Sequence, residues 1–304
     1  MDADIIFPAG QKHIKKTSFE GSPYFNVIVM YFLSHKHENC CVVHPNNYNI
    51  DFGINIHWFE DGVDHDHDDS CVLLPKKIGE IPDAQTKVSL RWIQKKRKSS
   101  KKNKIMTVDS LMNDDSDGHI SVPKNFWKQF NQCPSKRFVV FPFGFTCVDS
   151  GHANYMLYDR KNKSLERFES FGKVISSCLS PPNLDKKIFE LFHEKLGSEL
   201  LYYYPPQAFL PAENFQTKQE KEKEWIKRNE DDEPVGYCAA WSAWYIDLRL
   251  SNPDIDRETL VKIAMKKLES LPINFTTFIR NYSGMIVDVS KEIKKIYNKK
   301  DLDY

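Results

Sequence analysis

Three residues of different chemical type, far apart in the chain, together suffice for acyl transfer: His152, Glu169 and Cys238. Cys238 follows Gly236-Tyr237 and opens the run AAWSAWYIDLRL, which reads as a buried helix. A thiol at a helix N-terminus feels the positive end of the helix dipole, which lowers its pKa and favours the nucleophilic thiolate. The backbone N–H groups left over at that end can also hold an oxyanion. His152 begins the segment HANYMLY and Glu169 closes SLERFE, two strand-like stretches separated by the turn sequence DRKNK. A turn centred between residues 160 and 161 puts 152 opposite 169, with Cβ atoms ~5 Å apart across the strands. A carboxylate at that distance can hold the imidazole in one tautomer and stabilise its protonated form. Taken singly, each residue has a plainer explanation, because a cysteine in an Ala/Trp-rich helix is usually a small core residue. The spacing that pairs the histidine with the glutamate, and the cap position of the cysteine, favour the chemical reading.

The segments Gly151-His152-Ala153-Asn154, Glu166 to Gly172 (ERFESFG) and Gly236 to Ser242 (GYCAAWS) resemble the adenain and SUMO-protease superfamily of cysteine proteases. The chain order His, acidic residue, Gln, Cys is that superfamily's order. LERFESFG is similar to the segment of adenovirus protease that carries its acidic residue. Within the superfamily the chain is most similar to uncharacterised members encoded by large cytoplasmic DNA viruses. The resemblance covers about residues 137–290. It departs at Ala153, where most relatives have an aromatic residue, and at Ala239, where most have glycine. It implies a thiol protease or isopeptidase that cleaves after Gly-containing sites, in ubiquitin-like protein conjugates or in viral precursor proteins. It also implies an oxyanion-stabilising glutamine before the cysteine, for which Gln216 in Asn214-Phe215-Gln216 is preferred, Gln207 is the fallback, and Gln219 is a third nearby glutamine. A narrow substrate tunnel walled by Tyr237 and Trp241 follows from the same resemblance. No cofactor is implied. Two other readings use the same residues: an acetyltransferase carrying an acetyl group on the thiol, and a non-catalytic protein-binding module.

The elements that must position these residues suggest an α+β domain, a mixed sheet flanked by helices. Arg137 to Cys147 reads as a buried strand, and 152–158 with 164–168 as a hairpin. Residues 184–196 have helical spacing through Ile188, Leu191 and Phe192, and 200–204 reads as a strand. The charged stretch 218–233 reads as a looped-out insertion. Helices are expected over 238–250, 257–268 and about 290–297. Residues 1–105 differ from the rest in composition and end near a basic run, so they are read as an accessory or substrate-docking region, and 106–304 as the catalytic domain.

A net charge of +1 over 304 residues gives no global attraction to nucleic acid or membrane, so electrostatic function must be local. The run KKRKSSKKNK, Lys95 to Lys104, is a solvated loop, a nuclear-import signal or a weak contact for nucleic-acid phosphates. Seven cysteines without repeated spacing point to a reducing compartment. The start lacks a signal-peptide pattern, and the longest apolar run, Tyr24 to Leu33, is too short to span a bilayer. The expected location is the host-cell cytoplasm or a virion, with the nucleus open to it through the basic run. DHDHDD at 64–69 reads as a solvated acidic loop, since consecutive residues on one loop rarely supply a closed tetrahedral site. The group His35, His37, Cys40, Cys41, His44 matches no zinc spacing and is explained as well by partly buried cysteines, so no metal is expected.

Overall fold

The structure, a computed structural model, describes residues 3–8, 23–43, 54–57, 119–122, 126–147, 150–173, 184–225 and 237–296. The basic run 95–104, the DHDHDD segment, His44 and the acidic stretch 113–117 lie outside the described residues. The helices are α1 (Pro23–Lys36), α2 (Phe126–Phe130), α3 (Leu184–Leu196), α4 (Pro206–Phe209), α5 (Phe215–Trp225), α6 (Cys238–Ser251), α7 (Arg257–Glu269) and α8 (Phe275–Ile296). The strands are β1 (Cys40–Val42), β2 (Ile54–His57), β3 (His119–Ser121), β4 (Phe138–Cys147), β5 (Ser150–Asp159), β6 (Ser164–Arg167) and β7 (Tyr202–Tyr204). The chain is α+β.

One mixed sheet runs β3-β2-β4-β5-β6-β7, with β1 also paired to β4. β4 is its spine. Its one edge carries β1 against Phe138–Val140 and β2 against Phe143–Thr146, both parallel, while β5 runs antiparallel along its other edge. The residues of β4 alternate as a strand buried on both faces requires. Phe138 and Val140 join the core under α1, α6, α7 and α8, whereas Val139, Phe141 and Phe143 face α2 and α3 on the other side. The expected helix at 184–196 presents Leu184, Ile188 and Phe192 to that second core, while Leu191 is only partly buried.

Helix α6 is buried from Cys238 through Leu250, which explains its Ala, Trp and Leu content: a helix apolar all round belongs inside. It carries two charged exceptions, Asp247 and Arg249, and both are paired. Asp247 accepts from Lys36 Nζ at 2.9 Å and lies 2.6 Å from His37 Nε2. Arg249 meets the buried carboxylate of Glu166 on β6, which Arg257 of α7 and the Tyr245 hydroxyl also engage. These contacts pin α6 to the N-terminal helix on one side and to the sheet on the other.

Three expectations change. First, described segments from before residue 105 are part of the same sheet and core: β1 and β2 pair with β4, α1 packs beside α8, and Trp244 Nε1 donates to the Ile6 carbonyl at 3.0 Å. Second, the charged stretch expected to loop out begins as helix α5, and its Glu222 carboxylate accepts the Phe275 and Thr276 N–H groups at 3.0 and 3.3 Å, capping α8. Third, α8 starts at Phe275 rather than near 290. In addition, Cys41 and Cys133 form a disulfide, joining β1 to the turn after α2. Their 92-residue separation leaves no local pattern by which a sequence could pair them.

Candidate active site

The three candidate residues come together where the start of α6 meets β5 and the chain leaving β6. His152 stands on β5 opposite Phe145 of β4. The β5–β6 register, however, is Met156 opposite Arg167 and Asp159 opposite Ser164, two residues from the one expected. Asp159 causes the difference. Its carboxylate accepts the Lys161 and Asn162 N–H groups at 3.0 and 3.3 Å, organising a loop over 160–163 in which Lys163 takes a left-handed φ of 49°. His152 and Glu169 are therefore not direct partners; β6 has ended at Arg167. They still meet, because a shift of two residues keeps every side chain on its face, whereas a shift of one would have reversed it. His152 Nε2 and Glu169 Oε1 are 2.8 Å apart, both side chains buried.

Glu169 is heavily supported. Asn154 Nδ2 donates to its Oε2 at 2.9 Å, and the Phe171 N–H donates to Oε1 at 3.2 Å. Arg167 Nη1 lies 3.8 Å from Oε2 while its other nitrogens bind Asp185 of α3. Burial alone would raise the Glu169 pKa, but the His152 charge, the hydrogen bonds and Arg167 together hold it below its ordinary value. The loop that carries it is closed by Gly172 N donating to the Glu169 carbonyl at 3.2 Å, and is bound to the start of α5 by Asn214 Nδ2, which donates to the same carbonyl at 2.7 Å. The ring of Phe171 lies 5.5 Å from that of His152, tilted by 32°.

Cys238 is the first residue of α6. The first backbone bond of that helix is Trp241 N to the Tyr237 carbonyl, so the N–H groups of Cys238, Ala239 and Ala240 precede the helical ladder. The thiol is hydrogen-bonded to the His152 side chain. With Nε2 facing Glu169, this leaves Nδ1 for the sulfur. Burial raises the thiol pKa, but the His152 imidazolium, its hydrogen bond and one from the Ala153 backbone more than offset this, leaving it below its ordinary value. His152 moves the opposite way: burial lowers it, and the Glu169 and Cys238 charges raise it on balance. The arrangement thus favours a thiolate–imidazolium pair over a neutral thiol and imidazole. Cys40, another free cysteine, is pushed up to about 12 by burial.

The remaining candidates have partners of their own. Gln216, at the start of α5, is buried; its Oε1 accepts from Ser170 Oγ at 2.7 Å and its Nε2 donates to Glu220 at 3.3 Å. Gln219 Oε1 accepts from Trp241 Nε1 at 2.7 Å, and Gln207 is exposed on α4. Trp241 is corrected from a tunnel wall to a core side chain. It has no exposed surface and stacks on Phe215 and Phe278, because one turn beyond Cys238 the helix has already entered the core. Tyr237 is buried too, with its hydroxyl receiving Arg280 Nε at 3.1 Å. Sequence reasoning did not single out Asn154 or Ser242. Their signal was present, since Asn154 lies two residues after the histidine and Ser242 four after the cysteine, one helical turn along the same face.

No family model matches the chain. It is 29% identical over 178 residues to a putative ankyrin repeat protein of Acanthamoeba polyphaga mimivirus, an alignment covering 55% of this chain and 23% of that protein. The chain thus spans less than a quarter of that relative's length. Among solved structures it is similar to the Chlamydia trachomatis effector protein Cdu1 bound to ubiquitin, with a TM-score of 0.30, 13% identity, and coverage of 52% of this chain and 63% of that one. It is also similar to ChlaDub1 from Chlamydia trachomatis, with a TM-score of 0.31, 12% identity, and coverage of 60% and 72%.

Proposed function

We propose that the chain is a thiol peptidase or isopeptidase in which Cys238 is the nucleophile, His152 its general acid and base, and Glu169 the group that orients and charges the histidine. The observation that carries this reading is the buried line of contacts from the Cys238 thiol at a helix start, through His152, to Glu169 Oε1 at 2.8 Å. In the reaction the Cys238 sulfur attacks the carbonyl carbon, and the oxyanion that forms is met by N–H groups at the start of α6. The proton on His152 passes to the leaving amine as the C–N bond breaks, leaving a thioester. His152 then takes a proton from water, whose oxygen displaces the sulfur and releases a carboxylate.

The substrate classes implied by the motif resemblance are conjugates of ubiquitin-like proteins and viral precursor proteins cleaved after Gly-containing sites. Similarity to a mimivirus protein keeps the viral class in view. The test is a panel of ubiquitin, SUMO and other ubiquitin-like proteins carrying C-terminal electrophiles, offered to the full chain and to its Cys238→Ala form. A covalent adduct on the parent chain alone is expected, and the reacting probe names the class. If Cys238 reacts with no probe and alkylates no faster than an ordinary thiol, the peptidase reading is wrong.

A further inference from the structure

The three motifs around the site each contain a polar residue that the acyl-transfer reading leaves unused: Asn154 in HAN, Arg167 in ERFE and Ser242 in CAAWS. The structure brings them into one buried network behind Glu169. Ser242 Oγ donates to Asn154 Oδ1 at 3.0 Å, and Asn154 Nδ2 donates to Glu169 Oε2 at 2.9 Å. Asn154 is 1% exposed, and Ser242 and Glu169 have no exposed surface, so water does not substitute for any of these bonds. Resting on the peptidase reading, we infer that Asn154 and Ser242 are positioning residues that hold Glu169 as an oriented carboxylate and lock the nucleophile helix to the strand bearing the histidine.

The direction of the hydrogen bonds carries the argument. An ionised carboxylate only accepts, so the nitrogen of the Asn154 amide must face Glu169 and its oxygen must face Ser242. Ser242 is then committed as a donor. With Oε2 occupied by Asn154, the His152 ring and the Phe171 N–H share Oε1. Arg167 adds its charge at 3.8 Å without a direct hydrogen bond from Nη1 to any described group. A protonated Glu169 would break this order of donors and acceptors. The relay also spans the elements that must keep register: Ser242 is one turn along α6 from Cys238, and Asn154 is two residues along β5 from His152. Facing Glu169 are the charges of His152 on β5 and Arg167 on β6. Facing Cys238 are His152, Glu169 and the buried Tyr155 phenol.

The measurement is the rate of Cys238 alkylation by iodoacetamide as a function of pH, with Cys238→Ala as the blank. Variants are Asn154→Leu, Ser242→Ala, Glu169→Gln and the Asn154→Leu/Glu169→Gln double. Loss of the Asn154 donor should raise the thiol's midpoint and slow alkylation at neutral pH roughly tenfold, one unit of pKa being tenfold in thiolate below the midpoint. Ser242→Ala should move the midpoint the same way by less. In the Glu169→Gln background, Asn154→Leu should add no further shift, since its effect passes through the carboxylate. A packing defect would instead lower thermal stability without moving the midpoint. If Asn154→Leu does not fold, Ser242→Ala decides. A parent chain without enhanced Cys238 reactivity would remove the peptidase reading itself. A reactive parent whose folded variants retain its midpoint would overturn this inference alone.

Discussion

At the residue scale the site is a problem in placing charge. A buried thiol is ordinarily inert, and Cys40 shows this, raised to about 12 by burial that the Lys136 charge offsets only in part. Cys238 is just as buried, yet its pKa is displaced downward because an imidazolium stands beside it. At neutral pH, therefore, one equivalent of iodoacetamide label should appear that Cys238→Ala removes, while peptide mapping finds Cys40 unmodified. Equal labelling of the two would contradict the charge pair. The carboxylate behind the histidine has its own signature. Glu169→Gln keeps the shape but removes the charge that holds His152 protonated, so turnover on a reactive probe should fall ~10²–10⁴-fold. The same charge pair stabilises the fold, and the two signs can be separated. Glu169 is depressed, so its contribution is complete above its ordinary value of 4.5 and is lost as pH falls through the folded value. His152 is raised, so its contribution is complete below its ordinary value of 6.5 and is lost as pH rises through the folded value. The melting-temperature gap between the parent and Glu169→Gln should thus be widest between those two values and narrow on both sides.

At the element scale, what could be read from the sequence divided along a physical line. Elements whose residues follow one period and bury one face were legible: α3, α6, α7 and the β5–β6 hairpin all lie close to their expected ranges. Helix α8 was not, because Thr276, Thr277, Ile279 and Gly284 are poor helix formers. Burial of Phe278, Ile279, Tyr282 and Ile286 overrides that preference, and caps from Asn274 and the distant Glu222 start the helix. The hairpin register was missed by two residues because the capping carboxylate of Asp159 selects the loop, and the site survived because the error was even. One glycine matters here. Gly172 ends the Glu169 turn at φ 116°, and a Cβ there would stand 2.6 Å from the Ala212 carbonyl oxygen and 2.7 Å from that of Pro211. Both neighbours are backbone and cannot move aside cheaply. Gly172→Ala should destabilise the chain by roughly 2–4 kcal/mol in denaturant unfolding, combining a φ that only glycine tolerates with overpacking. Because the turn carries Glu169, the surviving folded fraction should also alkylate Cys238 more slowly. A neutral effect on both would show that the loop does not hold the acid.

At the scale of the whole molecule, the question is whether the catalytic unit begins near residue 106. Composition suggests so, since the basic run 95–104 and the acidic stretch 113–117 fall between two differently composed halves. Composition follows the surface, however, and the core takes no notice of it. From before that point come α1, whose Ile28, Val29, Met30, Phe32 and Leu33 are buried, and β1, whose Cys40 and Val42 join the same core as Trp241 and Trp244. Asp4 and Asn252 exchange two hydrogen bonds of 2.8 Å, and Lys36 with His37 covers the buried Asp247 of the nucleophile helix. Burial of five large apolar side chains on α1 alone stabilises by roughly 8–15 kcal/mol at about 1.5–3 kcal/mol each. That is comparable to the entire ~5–15 kcal/mol by which a domain is ordinarily stable. Removing it would also strip two parallel partners from β4 and leave Asp247 buried without Lys36 and His37, a penalty of several kcal/mol more. A chain cut to residues 106–304 should therefore fail to give a cooperative thermal transition and should lose the selective alkylation of Cys238. Excision of only 61–100, which leaves every described segment in place, should retain both. If the 106–304 fragment melts cooperatively and keeps a reactive Cys238, then the N-terminal elements are an appendage to the site. If it does not, they are part of the body that builds it.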